Sequence, residues 1–198
     1  MSVAAAGVIG LAAAPAIAAT TWTVKPGGAV TATAGTTTVN DTTAGIAVSC
    51  TSSVLKGTLK KGGGLAGKGI GTFSSLAFNT CTYNGINLSV TIKATMPLNA
   101  VKYNLTKKTA KMTITGIHGT LSITSPVTCS AEINGTSATA NNGTVQAVFS
   151  NKTNTLKVLS TGSNLTLYND TCPVTANGDA VNFTAAYKFA PKTTITSP

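Results

Sequence analysis

The Gly-rich run GGGLAGKGIG at residues 62–71 comes nearest to a phosphate loop, because Gly62, Gly67 and Lys68 satisfy G-x-x-x-x-G-K. That loop needs Ser or Thr next, to hold magnesium, and it must open a helix. Here Gly69 follows, and Thr72-Phe73-Ser74-Ser75-Leu76 reads as strand. Gly62, Gly64 and Gly67 also satisfy G-x-G-x-x-G, but no βαβ unit surrounds them. Glycine abundance alone produces both matches, and the segment is expected to be a flexible surface loop inside the first disulfide.

Acyl-transfer chemistry would have to use His118, the only histidine. It lies in Gly116-Ile117-His118-Gly119, which reads as a tight connection between two strands, and no G-x-S-x-G elbow accompanies it. Glycosidase chemistry needs two carboxyls held a fixed distance apart. The chain has Asp41, Glu132, Asp170 and Asp179. The three aspartates sit in Asn-Asp-Thr or Gly-Asp contexts that read as turns, where Asp caps its own backbone. No D-x-D-x-D-G pattern offers calcium a site, and no two cysteines have C-x₂₋₄-C spacing for zinc. The sequence therefore assigns no catalytic, cofactor-binding or metal-binding residue. A hydrolase using Glu132 or His118 is left as a remote alternative.

Cys50, Cys81, Cys129 and Cys172 make an even set. The N-terminal MSVAAAGVIGLAAAPAIAA is uncharged and apolar and ends in Ala16-Ile17-Ala18, the small-x-small pattern of a cleavage site. It lacks the usual positive n-region, which suggests a start further upstream. The expected organisation is a signal peptide over 1–18 and one secreted β domain over 19–198. Export with four cysteines predicts two disulfides, among three conceivable pairings. Sequential pairing, Cys50 with Cys81 and Cys129 with Cys172, is favoured. It closes loops of 31 and 43 residues, worth roughly 3–4 kcal/mol each by chain entropy. No other run reaches the ~18 apolar residues of a membrane-spanning helix.

The net charge of +10 comes from lysine alone, since no arginine occurs. Lysine lacks the planar fork that grips phosphate or reads bases, and aromatics are only 5%, so sequence-specific nucleic-acid binding is not expected. In the linear sequence the lysines are spread out and not clustered with aromatics. A diffuse attraction to anionic cell-envelope polymers or lipid headgroups is the natural consequence. The candidate contacts are Lys60, Lys61 and Lys68, and Lys107, Lys108 and Lys111.

Period-two alternation marks the elements that must position these groups. Val181, Phe183, Ala185, Tyr187 and Phe189 give the clearest strand, followed by Leu88–Ile92 and Val145–Phe149. Shorter strands are expected near Ala44–Ser49, Ile70–Phe78, Lys111–Thr115, Gly119–Ile123, Thr128–Ile133, Leu156–Leu159 and Leu165–Tyr168. Asn84-Gly85, Asn134-Gly135, Asn142-Gly143 and Asn177-Gly178 offer the positive φ of tight hairpins. From Cys129 to Tyr168 they suggest a meander whose neighbours pair in sequence order. The fold class is all-β: an antiparallel β-sandwich, or a barrel-like sheet, of ten or more strands with two disulfides. An immunoglobulin domain needs a Trp between its cysteines, whereas Trp22 precedes them all. A membrane β-barrel needs aromatic girdles that this chain cannot supply.

TAGTTTVNDTTAGIAVSCTSS (33–53), ITGIHGTLS (114–122) and TLKVLSTGSNLTLYND (155–170) resemble a group of uncharacterised secreted proteins of actinobacteria. The resemblance implies export and a shared fold, and it carries no established activity. The expectation is a secreted, non-enzymatic extracellular or envelope-associated protein that acts by binding or as surface structure. The main alternative is a carrier of a small apolar ligand or lipid.

Overall fold

The computed structural model describes residues 20–93 and 95–198, so the expected signal peptide lies outside the described residues. Alternating apolar and polar side chains favour extended backbone with one buried face, and the described residues form sixteen strands. The first half of the chain gives β1 (Thr21–Lys25), β2 (Gly28–Ala34), β3 (Thr37–Asp41), β4 (Ile46–Leu59), β5 (Gly62–Ala66), β6 (Gly71–Tyr83), β7 (Ile86–Ile92) and β8 (Met96–Asn104). The second half gives β9 (Thr109–Ile117), β10 (Gly119–Ile123), β11 (Cys129–Asn134), β12 (Gly143–Ser150), β13 (Thr155–Val158), β14 (Leu165–Tyr168), β15 (Ala180–Ala190) and β16 (Thr194–Thr196).

Thirteen strands make one antiparallel sheet that closes on itself twice. Its common wall consists of β15, β2 running on into β3, β4 and β6. At one end β7, β10, β11 and β14 link β6 back to β15. At the other end β8, β9, β12 and β13 do the same. Every strand of this sheet has a neighbour on both sides, so the closure removes the free edges that invite aggregation. The small sheet β16-β1-β5 caps the second end.

The two ends meet at a waist where the inward parity shifts. In the β2–β3 strand Ala32 and Ala34 point inward, and after Gly35-Thr36 so do Thr37, Val39 and Asp41. In β4 the inward set changes from Val48 and Cys50 to Ser53 and Leu55. Thr80 of β6, at a φ of 45°, marks the same level. Buried polar groups collect there: Ser53 Oγ lies 2.7 Å from Thr37 Oγ1 and 2.8 Å from Tyr187 Oη. Each end has its own aromatic core, with Phe78 edge-on to Phe183 at one and Phe73 and Phe149 edge-on to Phe189 at the other. The interior is filled. A cavity lined by Val39, Phe78, Met96, Ile133, Phe183 and other apolar side chains measures about 30 Å³.

Both disulfides have the favoured pairing. Cys50 and Cys81 are direct cross-strand partners of β4 and β6, and Cys129 ties the start of β11 to Cys172, in the loop after β14. Asn84 and Gly85, at φ of 47° and 80°, make the expected hairpin between β6 and β7.

Three local expectations are corrected. The Cys129–Tyr168 segment is not a meander: β12 pairs with β13, but β11 pairs with β10 and β14. Asn134-Gly135 fails as a hairpin turn because Asn134 is buried and its amide holds Gly135 N and Ala138 O. The Gly-rich segment is not a flexible loop, since Gly62–Ala66 is β5, paired with β1. Gly62 and Gly64 there take positive φ, and Gly67 just after the strand serves close packing. A Cβ on Gly67 would stand 2.4 Å from the Ala100 carbonyl oxygen and 2.9 Å from Trp22 Nε1.

Candidate anion-binding surface

Three turns meet at the end of the sheet built on β8, β9, β12 and β13. The β8–β9 turn is fixed by Lys107 N–H donating to Asn104 Oδ1 at 2.8 Å, with Lys108 at a φ of 53°. Because Thr109 of β9 stands opposite Ser150 of β12, the β12–β13 turn lies alongside, and Asn151 N–H donates to Lys108 O at 3.0 Å. The Asn151 amide bridges to β16: Oδ1 accepts from Ile195 N–H and Nδ2 donates to Ile195 O, both at 2.8 Å. Asn154 is 4% exposed and clamps the β15–β16 turn, donating to Phe189 O at 2.6 Å and accepting from Thr193 N–H at 2.9 Å. The bonded turns carry Lys107, Lys108, Lys152 and Lys192, all exposed. An open groove of about 640 Å³ runs between them, lined by Tyr103, Thr106, Lys107, Lys108, Asn151, Lys152, Thr194 and Thr196.

The outer face of the same strands continues the charge. Lys102 of β8 is the register partner of Lys111 of β9, which pairs with Val148 of β12, which pairs with Lys157 of β13. Lys56 and Lys188 project from the common wall. Lys25, Lys60, Lys61 and Lys68 belong to the capping sheet and its connections, and Lys25 O accepts from Thr194 Oγ1 beside the groove. Of the fourteen lysines only Lys93 falls elsewhere, at the junction of β7 and β8.

All four carboxylates belong to the opposite end, on β3, on β11 and beside β14 and β15. Three cap turns as expected. Asp41 Oδ1 accepts from Thr43 and Ala44 N–H, Asp170 Oδ1 from Cys172 N–H, and Asp179 Oδ2 from Ala176 N–H. Glu132 accepts from Asn169 Nδ2 at 3.0 Å. Folding also brings the Asp41 carboxyl beside Asp179, across the β3–β15 ladder. Burial chiefly, and then the neighbouring Asp179, hold the Asp41 carboxyl above its ordinary pKa, against the pull of the two backbone donors. His118 lies half-buried between β9 and β10, and its backbone carbonyl accepts from Lys93 N–H. Among the described residues no three His, Cys, Asp or Glu side chains gather as a metal site. Strand β6 follows the Gly-rich run, so no helix N-terminus is there to cradle a phosphate.

All six lysines singled out from the sequence therefore lie on the basic end: Lys60, Lys61 and Lys68 on its cap, and Lys107, Lys108 and Lys111 on the β8–β9 hairpin. Sequence reasoning missed their neighbours Lys102, Lys152, Lys157 and Lys192. A hairpin register drawn outward from the Asn104–Lys108 turn would have put Lys102 opposite Lys111. No family model, curated protein or solved structure matches the chain.

Proposed function

We propose that the protein is a secreted, envelope-associated protein that works without catalysis, docking its basic end onto polyanionic surfaces of the cell exterior. The observation that carries this reading is the segregation of charge: eleven exposed lysines at one end, Lys56 and Lys188 on the wall beside it, and all four acidic side chains at the other. A surface of one sign raises the local concentration of oppositely charged partners and orients their approach. Two disulfides and a sheet without free edges suit a chain that must persist outside the cell.

The shared chemistry of the partner is closely spaced phosphate or carboxylate, whether on a polymer or on lipid headgroups. Such binding releases counterions and weakens steeply with salt. A carrier of apolar ligands would need roughly 300–1,000 Å³ of internal space, and enclosed apolar cavities of about 30 and 40 Å³ argue against that role. The test is sedimentation of the purified mature protein with isolated envelope fragments. It is expected to pellet at low salt and to be released at high salt, and a protein left in the supernatant at low salt would refute the proposal.

A further inference from the structure

The basic end also carries exposed apolar side chains that charge binding does not explain. Leu105, at the tip of the β8–β9 turn, is 59% exposed, and so is Val101 four residues earlier. Lys102, Lys107 and Lys108 flank them on the same hairpin, and Lys152 stands on the adjoining turn. The tip is held outward. Asn104 Oδ1 accepts from Lys107 N–H, and the hairpin is anchored next to its turn where Tyr103 packs edge-on to the buried Trp22, with ring centroids 6.4 Å apart.

A hydrated polyanion offers a leucine nothing to bury against. The interface of an anionic bilayer offers headgroup charge to the lysines and, a few ångströms deeper, an acyl boundary to the leucine. We infer that the Asn104–Lys108 hairpin tip is a membrane-docking element, with Leu105 entering the headgroup–acyl boundary of an anionic lipid bilayer while Lys102, Lys107, Lys108 and Lys152 engage the headgroups. This rests on the polyanion-docking reading and names the partner of the same surface. Each lysine held at the bilayer surface should contribute about fivefold in affinity, and the inserted leucine about tenfold.

The experiment uses vesicles of phosphatidylcholine with and without a third of phosphatidylglycerol, alongside soluble polyphosphate. Wild type is expected to pellet with the anionic vesicles and not with the neutral ones. Leu105→Ser should weaken vesicle binding about tenfold and leave polyphosphate binding unchanged. Leu105→Trp should show a blue shift of tryptophan emission with anionic vesicles and none with polyphosphate, against the constant signal of buried Trp22. Polyphosphate binding without vesicle binding, or vesicle binding indifferent to Leu105→Ser, would overturn the inference and leave the docking reading standing. Failure to bind either would overturn both. Leu105 is exposed, so both variants should unfold at the wild-type temperature, which a melting curve checks.

Discussion

Lys102 and Lys111 face each other as register partners across the β8–β9 ladder, with no carboxylate in their half of the molecule. Like charges directly opposed on neighbouring strands destabilise a sheet by a few tenths of a kcal/mol to about 1 kcal/mol. A surface evolved only for stability would place an acid at one of the two positions. On the proposed docking function, this repulsion is the cost of keeping charge on the surface that would meet the polyanion.

Replacing one partner should therefore separate stability from binding. Lys111→Glu is expected to raise stability by up to about 1 kcal/mol, read as a shift in the urea midpoint. The same change should reduce the salt slope and the affinity for polyphosphate. A variant that loses stability and keeps full affinity would contradict this reading of the pair.

Asn151 and Asn154 bolt the lysine-bearing turns to β15 and β16. Removing the Asn154 side chain leaves Phe189 O and Thr193 N–H without partners in a buried site. Asn154→Ala also puts a residue poorly suited to a φ of 56° at that turn. The expected loss is about 2–4 kcal/mol, with faster amide exchange at Phe189 and Thr193.

Tyr187 is fully buried at the waist and bonds to Ser53. Burial pushes its phenol well above the ordinary value of 10.0, outweighing the lowering effect of the Ser53 bond. The folded state thus holds this proton more tightly than the unfolded chain. Its contribution is complete below pH 10 and is withdrawn as pH rises further. Absorbance at alkaline pH should show one tyrosine that ionises only when the protein unfolds, and Tyr187→Phe should cost about 1 kcal/mol.

Asp41 gives a second pH dependence at the acid end. Its folded-state pKa is raised above 3.8, so its contribution to stability is full below that pH and is lost as pH rises through the raised value. Asp41→Asn keeps an oxygen to accept from Thr43 and Ala44 and gives Asp179 a donor. It should stabilise the protein at pH 7 by about 1–2 kcal/mol and leave stability little changed near pH 3. Urea midpoints measured across that range check both limbs.

Ten of the sixteen strands and the cysteine pairing were legible from local alternation and loop length, whereas β1, β2, β3, β5, β8 and β16 were not anticipated. β15 announces itself through Val181, Phe183, Ala185, Tyr187 and Phe189, which keep one parity along the whole strand. Strand order was less legible. The pairing of β11 with β14, and not with β12, depends on the buried Asn134 amide and on which strands close each end of the sheet. The Gly-rich β5 escaped because Gly62 and Gly64 take positive φ within a paired strand, and because Gly67 just after it packs against Trp22 and Ala100, far away in sequence. The six lysines flagged as candidate contacts all fall on the basic end. Lysines that look scattered along the chain become a cluster only after β8, β9, β12 and β13 are laid side by side. The Asp41–Asp179 pair is hidden in the same way, since the two residues meet only through the β3–β15 ladder.

Mapping the surface that meets a polyanion tests the central claim most directly. Amide chemical shifts of the isotope-labelled protein would be followed during titration with polyphosphate at low salt. The shifts should move at the β8–β9, β12–β13 and β15–β16 turns, around Lys107, Lys108, Lys152 and Lys192, and return when salt is added. Shifts centred on the loop from Asp170 to Asp179, or none anywhere, would contradict the account.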